Sequence, residues 1–173
     1  MAILPILKYP DRRLRQISEP IRDFDDALKS LAEDMKETML AAPGAGLAAP
    51  QVNRFLRLIV IDGSKEDEEY GQTVVTLINP RIVESTGKQI FREGCLSVEE
   101  LQSDVIRSET VTVTAQDIAG QTFVISAKDR QAVILQHEID HLDGILFLDH
   151  ISRLKRDMYR KKLQKNLKLA KTS

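Results

Sequence analysis

His137 and His141 stand four residues apart, with Glu138 beside the first, in the stretch Gln136-His137-Glu138-Ile139-Asp140-His141-Leu142-Asp143-Gly144. On a helix, residues i and i+4 lie one above the other on a single face, so the two imidazoles can converge on one point, as two metal bonds require. Glu138 sits about 100° further round the same turn. That takes it off the ligand face but leaves it within reach of a water held by the metal, where a general base belongs. The same residues also read as a surface helix with two solvated histidines, because H-E-x-x-H recurs by chance. A catalytic centre needs a third ligand and a place that stabilises an oxyanion.

Three kinds of group could supply the third ligand: Cys95, His150 or a carboxylate. Cys95 lies in Glu93-Gly94-Cys95-Leu96-Ser97, a glycine-flanked turn. A thiolate there would bind a soft or borderline divalent ion well. A lone cysteine is more commonly a small buried apolar residue. It also excludes an intrachain disulfide framework and suits a reducing compartment. His150 follows the break at Gly144 and reads as a satisfied surface or packing histidine.

The elements around these residues can be read in turn. Asp11 caps a short helix that Pro20 ends. Asp25 and Asp26 open a second helix to about Ala41, with Leu28, Leu31, Met35 and Met39 forming a stripe at helical spacing that reads as core. Residues 44–51, rich in glycine and alanine, read as a loop, and match neither a dinucleotide fingerprint nor a phosphate loop. Strands are expected at 56–62 and 74–80, and as a pair at 81–85 and 88–92 turned at Thr86-Gly87. Further strands are expected at 105–107, 110–115 and 122–127, the last two forming a hairpin over Asp117-Ile118-Ala119-Gly120. Lys65 to Glu69 reads as a solvated charged loop. The helix carrying His137 is apolar on most sides, so its histidines are buried and need partners.

Composition narrows the classes. A chain of 173 residues, 42% hydrophobic and 29% charged, can bury a core as one domain. It contains no apolar run near the roughly 20 residues of a membrane span. The apolar start lacks a basic n-region and a small-residue cleavage site, so a cytoplasmic location is expected. Residues 152–173 carry nine bases against Asp157 alone, a net +8 on a chain of net −1, so an acidic body bears a basic tail suited to an anionic partner.

Three blocks together resemble those of bacterial peptide deformylases: Gly44-Ala45-Gly46-Leu47-Ala48-Ala49-Pro50-Gln51, Glu93-Gly94-Cys95-Leu96-Ser97, and Gln136 to Gly144. The likeness runs from the Leu4–Arg15 region to the basic C-terminal helix, which resembles the type 1 branch. It implies an α+β fold, with small antiparallel β-sheets packed around a central HExxH-bearing helix, N-terminal helices and a C-terminal helix. Residues 1–150 would form the catalytic part, with 151–173 a basic helix of the same domain. The resemblance implies Cys95, His137 and His141 as metal ligands, Glu138 as proton carrier, and the Gln51 amide with the Leu96 N–H as oxyanion donors. Gly46 and Gly94 would let the backbone pair with an extended peptide, and Val133 and Ile134 would line a pocket for methionine. It further implies hydrolysis of N-formylmethionyl peptides to formate and a free amine. The cellular ion would be Fe²⁺, with Zn²⁺, Ni²⁺ or Co²⁺ as alternatives. The chain would be a monomer that binds no membrane, and its basic helix would contact the ribosome near the nascent-chain exit. Arg107 matches a family arginine that could pair with Glu93. Glu99 and Gln102 depart from the family pattern, so the outer substrate wall does not carry over. The rival readings are a zinc endopeptidase and a non-enzymatic ribosome-binding module.

Overall fold

A computed structural model describes residues 2–64, 71 and 73–172. The charged run Lys65 to Glu69 lies outside the described residues. The helix that carries the two histidines forms as α2 (Asp129–Leu142) and is buried along almost its whole length. Its apolar residues, among them Ala132, Leu135 and Leu142, pack on one face of a sheet through Ile59, Ile61, Leu77, Val111 and Val113. A side chain of that size contributes about 1.5–3 kcal/mol when fully buried. Packing, rather than capping, therefore holds this helix: Lys128 at its N-cap makes no side-chain bond to it. Gly144 follows its end at φ +70, the left-handed conformation that closes helices.

The sheet has five antiparallel strands in the order β1-β2-β3-β6-β7: β1 (Gly46–Ala48), β2 (Leu58–Asp62), β3 (Val74–Thr86), β6 (Thr110–Gln116) and β7 (Thr122–Lys128). β2 is buried throughout because both of its faces are covered. Ile59 and Ile61 face α2, while Leu58 and Val60 face α1 (Asp26–Ala41). Asp25 caps α1 by accepting the Leu28 N–H, and Met35 and Met39 are fully buried, as the stripe predicts. Asp11 likewise caps the 3-10 helix Arg12–Arg15.

A second, two-stranded sheet joins β4 (Gln89–Cys95) to β5 (Val98–Arg107). Here the structure corrects the sequence reading in three places. Residues 74–86 form one strand, not two. β3 pairs with β2 and β6, and β4 with β5, so Thr86-Gly87 turns between sheets rather than within a hairpin. The register shifts between Ile78 and Arg81, where Asn79 (φ 51) takes a left-handed conformation and Pro80 needs no ladder donor. The Asn79 side chain accepts the Ile21 N–H and donates to the Ile21 carbonyl, 2.8 Å each, replacing the pairing lost. Finally, residues 44–51 are not wholly loop: they supply β1 and the 3-10 helix Ala49–Val52.

The C-terminal helix α3 (Arg153–Thr172) docks through Tyr159, which is buried, and Leu163 beside Val98 and Val105 of β5. Leu154, Met158 and Leu167 of the same helix are exposed. The N-terminal segment clasps the far end of α2. Ser18 N–H donates to the Leu142 carbonyl (2.8 Å), and Arg15 bonds the Gly144 carbonyl (3.2 Å) and the Asp149 carboxylate. The helices combined with antiparallel sheets are the α+β architecture anticipated from the sequence. Among the described residues, no helix is long and apolar enough to cross a membrane.

Candidate functional site

Cys95 ends β4, where the chain reverses tightly enough that Cys95 pairs with Val98. The turn delivers its sulfur to α2. Sγ lies 3.3 Å from His141 Nε2, and one ligand atom from each of Cys95, His137 and His141 lies within 4.8 Å of the others. That is the spacing and chemistry of a three-ligand site for a borderline divalent ion. His150 is not part of this group.

Each histidine is set by its surroundings. His137 Nδ1 faces Glu93 Oε2 at 2.8 Å, which leaves Nε2 for the site, the usual arrangement behind a ligating imidazole. Burial would favour neutral His137, but hydrogen bonds to Cys95 and Glu93 outweigh it and raise its pKa well above the ordinary value. His141 Nδ1 has no hydrogen-bond partner among the described residues. Burial, with the positive charge of His137 and Arg107 nearby, holds it well below the ordinary value. Phe147 stacks on the His137 ring, centroids 6.1 Å apart.

Burial would raise the Glu93 carboxyl too. Hydrogen bonds from His137 and Arg107 prevail, and hold it at about 2. Arg107 donates to it twice, Nε to Oε1 at 2.7 Å and Nη2 to Oε2 at 3.1 Å, which is the pairing the sequence suggested. Glu138 is different. It is buried, its Oε2 finds no hydrogen-bond partner among the described residues, and burial pushes it up to about 7. A buried carboxyl poised near neutrality with a free oxygen is equipped to accept and return a proton.

Gln51, in the 3-10 helix after β1, is buried, and its amide orientation is fixed. The Ala48 N–H donates to Oε1 (2.8 Å), so Nε2 points to Ser97 Oγ (3.1 Å) and Cys95 Sγ (3.7 Å). Leu96 lies in the turn after Cys95, and its carbonyl accepts from Lys8 Nζ at 2.7 Å. Gly46 of β1, Gly94 of β4, and Val133 and Ile134 of α2 border the same cavity, which holds about 720 Å³. Gln51, Cys95, Leu96, His137 and Glu138 border it as well, whereas His141 does not. β1 and β4 are both edge strands, so the cavity lies between two open sheet edges.

The chain matches the polypeptide deformylase family model over residues 3–157. The chain belongs to that family. It is 50% identical over 165 residues to the peptide deformylase of Desulfotalea psychrophila, covering 95% of this chain and 97% of that one. It is 46% identical to the enzyme of Pseudoalteromonas translucida, with 98% and 99% covered. Its fold superimposes on the crystal structure of the Legionella pneumophila peptide deformylase with a TM-score of 0.88 at 46% identity, covering 99% of each chain. The Ehrlichia chaffeensis enzyme, crystallised in complex with actinonin, gives 0.89 at 39% identity, with 96% and 98% covered.

Three features of the site escaped the sequence reading. Ser97 holds the Gln51 amide, and its own N–H donates to Cys95 Sγ at 3.4 Å. Its place in the Glu93–Ser97 block was the available signal. Gly46 faces Glu138 so closely that a β-carbon there would lie 2.5 Å from Oε1. Asp140 bonds Arg107 rather than solvent, at 2.6 Å.

Proposed function

We propose that Cys95, His137 and His141 hold one divalent metal ion, beside which Glu138 carries the proton in removing the formyl group from N-formylmethionyl peptides. The overall reaction takes a formamide and water to formate and a free amine. One observation carries the reading: the Cys95 sulfur and one nitrogen from each of His137 and His141 lie within 4.8 Å of one another, beside a buried carboxyl whose Oε2 has no hydrogen-bond partner among the described residues, in a chain of the deformylase family.

A bound divalent ion supplies a Lewis acid that polarises oxygen and makes hydroxide accessible near neutral pH. Glu138 takes a proton from the attacking water and delivers it to the departing amine. A carboxyl near 7 is well matched to both halves of that task. Gln51 Nε2 and the Leu96 N–H donate to the formyl oxygen as it becomes anionic. The Ala48 bond to Gln51 means that this donor is oriented before substrate arrives. Val133 and Ile134 receive the methionine side chain. The edges of β1 and β4, at Gly46 and Gly94, pair with the extended peptide backbone, since an open strand edge offers unpaired N–H and C=O groups.

Fe²⁺ is the ion we assign in the cell, on the family resemblance; Zn²⁺, Ni²⁺ and Co²⁺ suit the same thiolate and imidazole donor set. A ferrous thiolate site would lose activity in air as Cys95 is oxidised. The chain acts as a cytoplasmic monomer in this reading. Residues 1–150 and 151–173 form one unit, supported by Tyr159 and Leu163 packing on β5. The basic face of α3 meets ribosomal RNA near the nascent-chain exit, with binding that weakens steeply with salt.

Incubation with formyl-Met-Ala-Ser and with the unformylated peptide tests the reading. Formate from the first alone supports it, whereas internal cleavage of the second indicates an endopeptidase and overturns it. Glu138→Ala should lower turnover by about 10²–10⁴-fold while metal content stays at one ion. Cys95→Ser should lose the metal.

A further inference from the structure

Arg107 does more than pair with Glu93. Its guanidinium is nearly wholly buried, the side chain 4% exposed, and it spans two carboxylates. Nε and Nη2 hold Glu93 of β4, and Nη1 holds Asp140 Oδ2 of α2 at 2.6 Å. Asp140 Oδ2 also lies 2.8 Å from His150 Nε2. The same nitrogen is 3.3 Å from Arg107 Nη1. The Asp140 carboxylate can only accept, so the tautomer that satisfies it carries its proton on Nε2, and both donors point at the carboxylate. Together these groups form a chain from a half-exposed histidine to a metal-ligand candidate: His150, Asp140, Arg107, Glu93, His137.

The geometry gives that chain a mechanical task. Asp140 is three residues beyond His137 on α2, so the two share one side of the helix. Arg107 grips that side twice, directly at Asp140 and through Glu93 at His137. Two grips a turn apart fix the rotation of α2 about its axis as well as its distance from β4. Both histidine ligands are carried by α2, and the thiolate by β4, so the fork sets how the two halves of the ligand set meet. The charges also require it. Two carboxylates share one guanidinium, and the His150 donor is the further hydrogen bond that steadies Asp140 at the exposed end. Removing one partner from a buried ion network leaves the others uncompensated.

We propose that Asp140 and His150 are positioning residues for the metal centre, acting through Arg107 and Glu93 on His137 and on the rotation of α2. The proposal rests on the metal-site reading above and extends it to residues that touch neither metal nor substrate.

The test uses the full chain loaded with Co²⁺, and variants Asp140→Asn, His150→Ala and His150→Gln. The readouts are the Co²⁺ ligand-field spectrum, the rate of Co²⁺ loss to a chelator, and kcat and KM for formyl-Met-Ala-Ser. Asp140→Asn should alter the spectrum, speed Co²⁺ loss about tenfold and lower kcat, with KM held within about twofold. His150→Ala should act in the same direction by about threefold, half of that on a logarithmic scale. His150→Gln should restore wild-type values, because its amide can donate to Asp140 in place of the imidazole. Variants whose spectrum, Co²⁺ loss and kcat match wild type, while only Tm falls, overturn the proposal and leave a merely structural pair. Should Asp140→Asn not fold, the two His150 variants decide by the same criteria. Wild-type protein that takes up no Co²⁺ overturns the metal-site reading and this proposal together. Wild-type binding with indifferent variants overturns this proposal alone.

Discussion

Glu138 occupies the space that a side chain at position 46 would need. A β-carbon on Gly46 would lie 2.5 Å from Glu138 Oε1 and 2.6 Å from its Cγ, well inside contact distance. Gly46→Ala should therefore displace the carboxyl while leaving the thiolate and imidazoles where they are. The expected outcome is a fall in kcat of about 100-fold, the scale on which a 1 Å misplacement acts, with one metal ion still bound. Steady-state kinetics and metal analysis on the same preparation check it. Glu93 gives a prediction of another kind. Its carboxyl is held at about 2 in the folded chain, against an ordinary 4.5. A depressed folded pKa contributes stability that is complete above 4.5 and lost as pH falls toward 2. The size is about 3 kcal/mol for a shift of that order. Urea midpoints of chelator-treated protein should fall through that window, and Glu93→Gln should flatten the slope there while lowering stability at neutral pH.

At the scale of elements, the end of α2 is closed against the N-terminal segment. Gly144 takes φ +70, and a β-carbon there would stand 2.4 Å from the Arg15 carbonyl oxygen, which is backbone and cannot swing aside. Gly144→Ala should cost about 2 kcal/mol or more, seen as a lower urea midpoint. α2 was the most legible element in the chain. Its histidine spacing, apolar faces and terminal glycine are local signals, and so are the caps at Asp11 and Asp25. The sheets were less legible because pairing is not local. Thr86-Gly87 carries the signal of a hairpin turn, yet the partner of β4 is decided by the tight reversal at Cys95–Val98, and β3 is claimed by β2 and β6. Asn79-Pro80 reads as a strand end, yet bonds from Asn79 to Ile21, 58 residues away, and to Gln116 of β6 satisfy the bulge where the strand continues. Within the site, the ligand candidates and Gln51 were readable from motif blocks. The partners of Asp140 and His150 were not, because a guanidinium supplied by β5 joins them to Glu93.

For the molecule as a whole, metal and fold should support one another. The ligand candidates lie on separate elements, β4 and α2, so an ion that binds all three binds only the folded chain. Adding Ni²⁺ at about 100 times its Kd should stabilise the protein by about 2.7 kcal/mol, and a chelator should reverse the gain. Differential scanning calorimetry with and without the ion checks this, and Cys95→Ser should abolish the increment. The charge asymmetry belongs to this scale too. The bases of α3 stand on a helix anchored by few apolar side chains, so most of its surface is available to a polyanion.

The clasp of residues 15–18 on the end of α2 has a consequence for the order of assembly. Arg15 meets Gly144 across a sequence separation of 129 and Asp149 across 134. Closing a segment of that length costs about 4 kcal/mol in chain entropy beyond a fixed constant. Topologies dominated by such distant contacts fold slowly. The helix bearing His137 and His141 cannot be sealed until the segment made first meets one made more than a hundred residues later. A copy still emerging from its own synthesis therefore cannot make this clasp until the chain beyond α2 has been made.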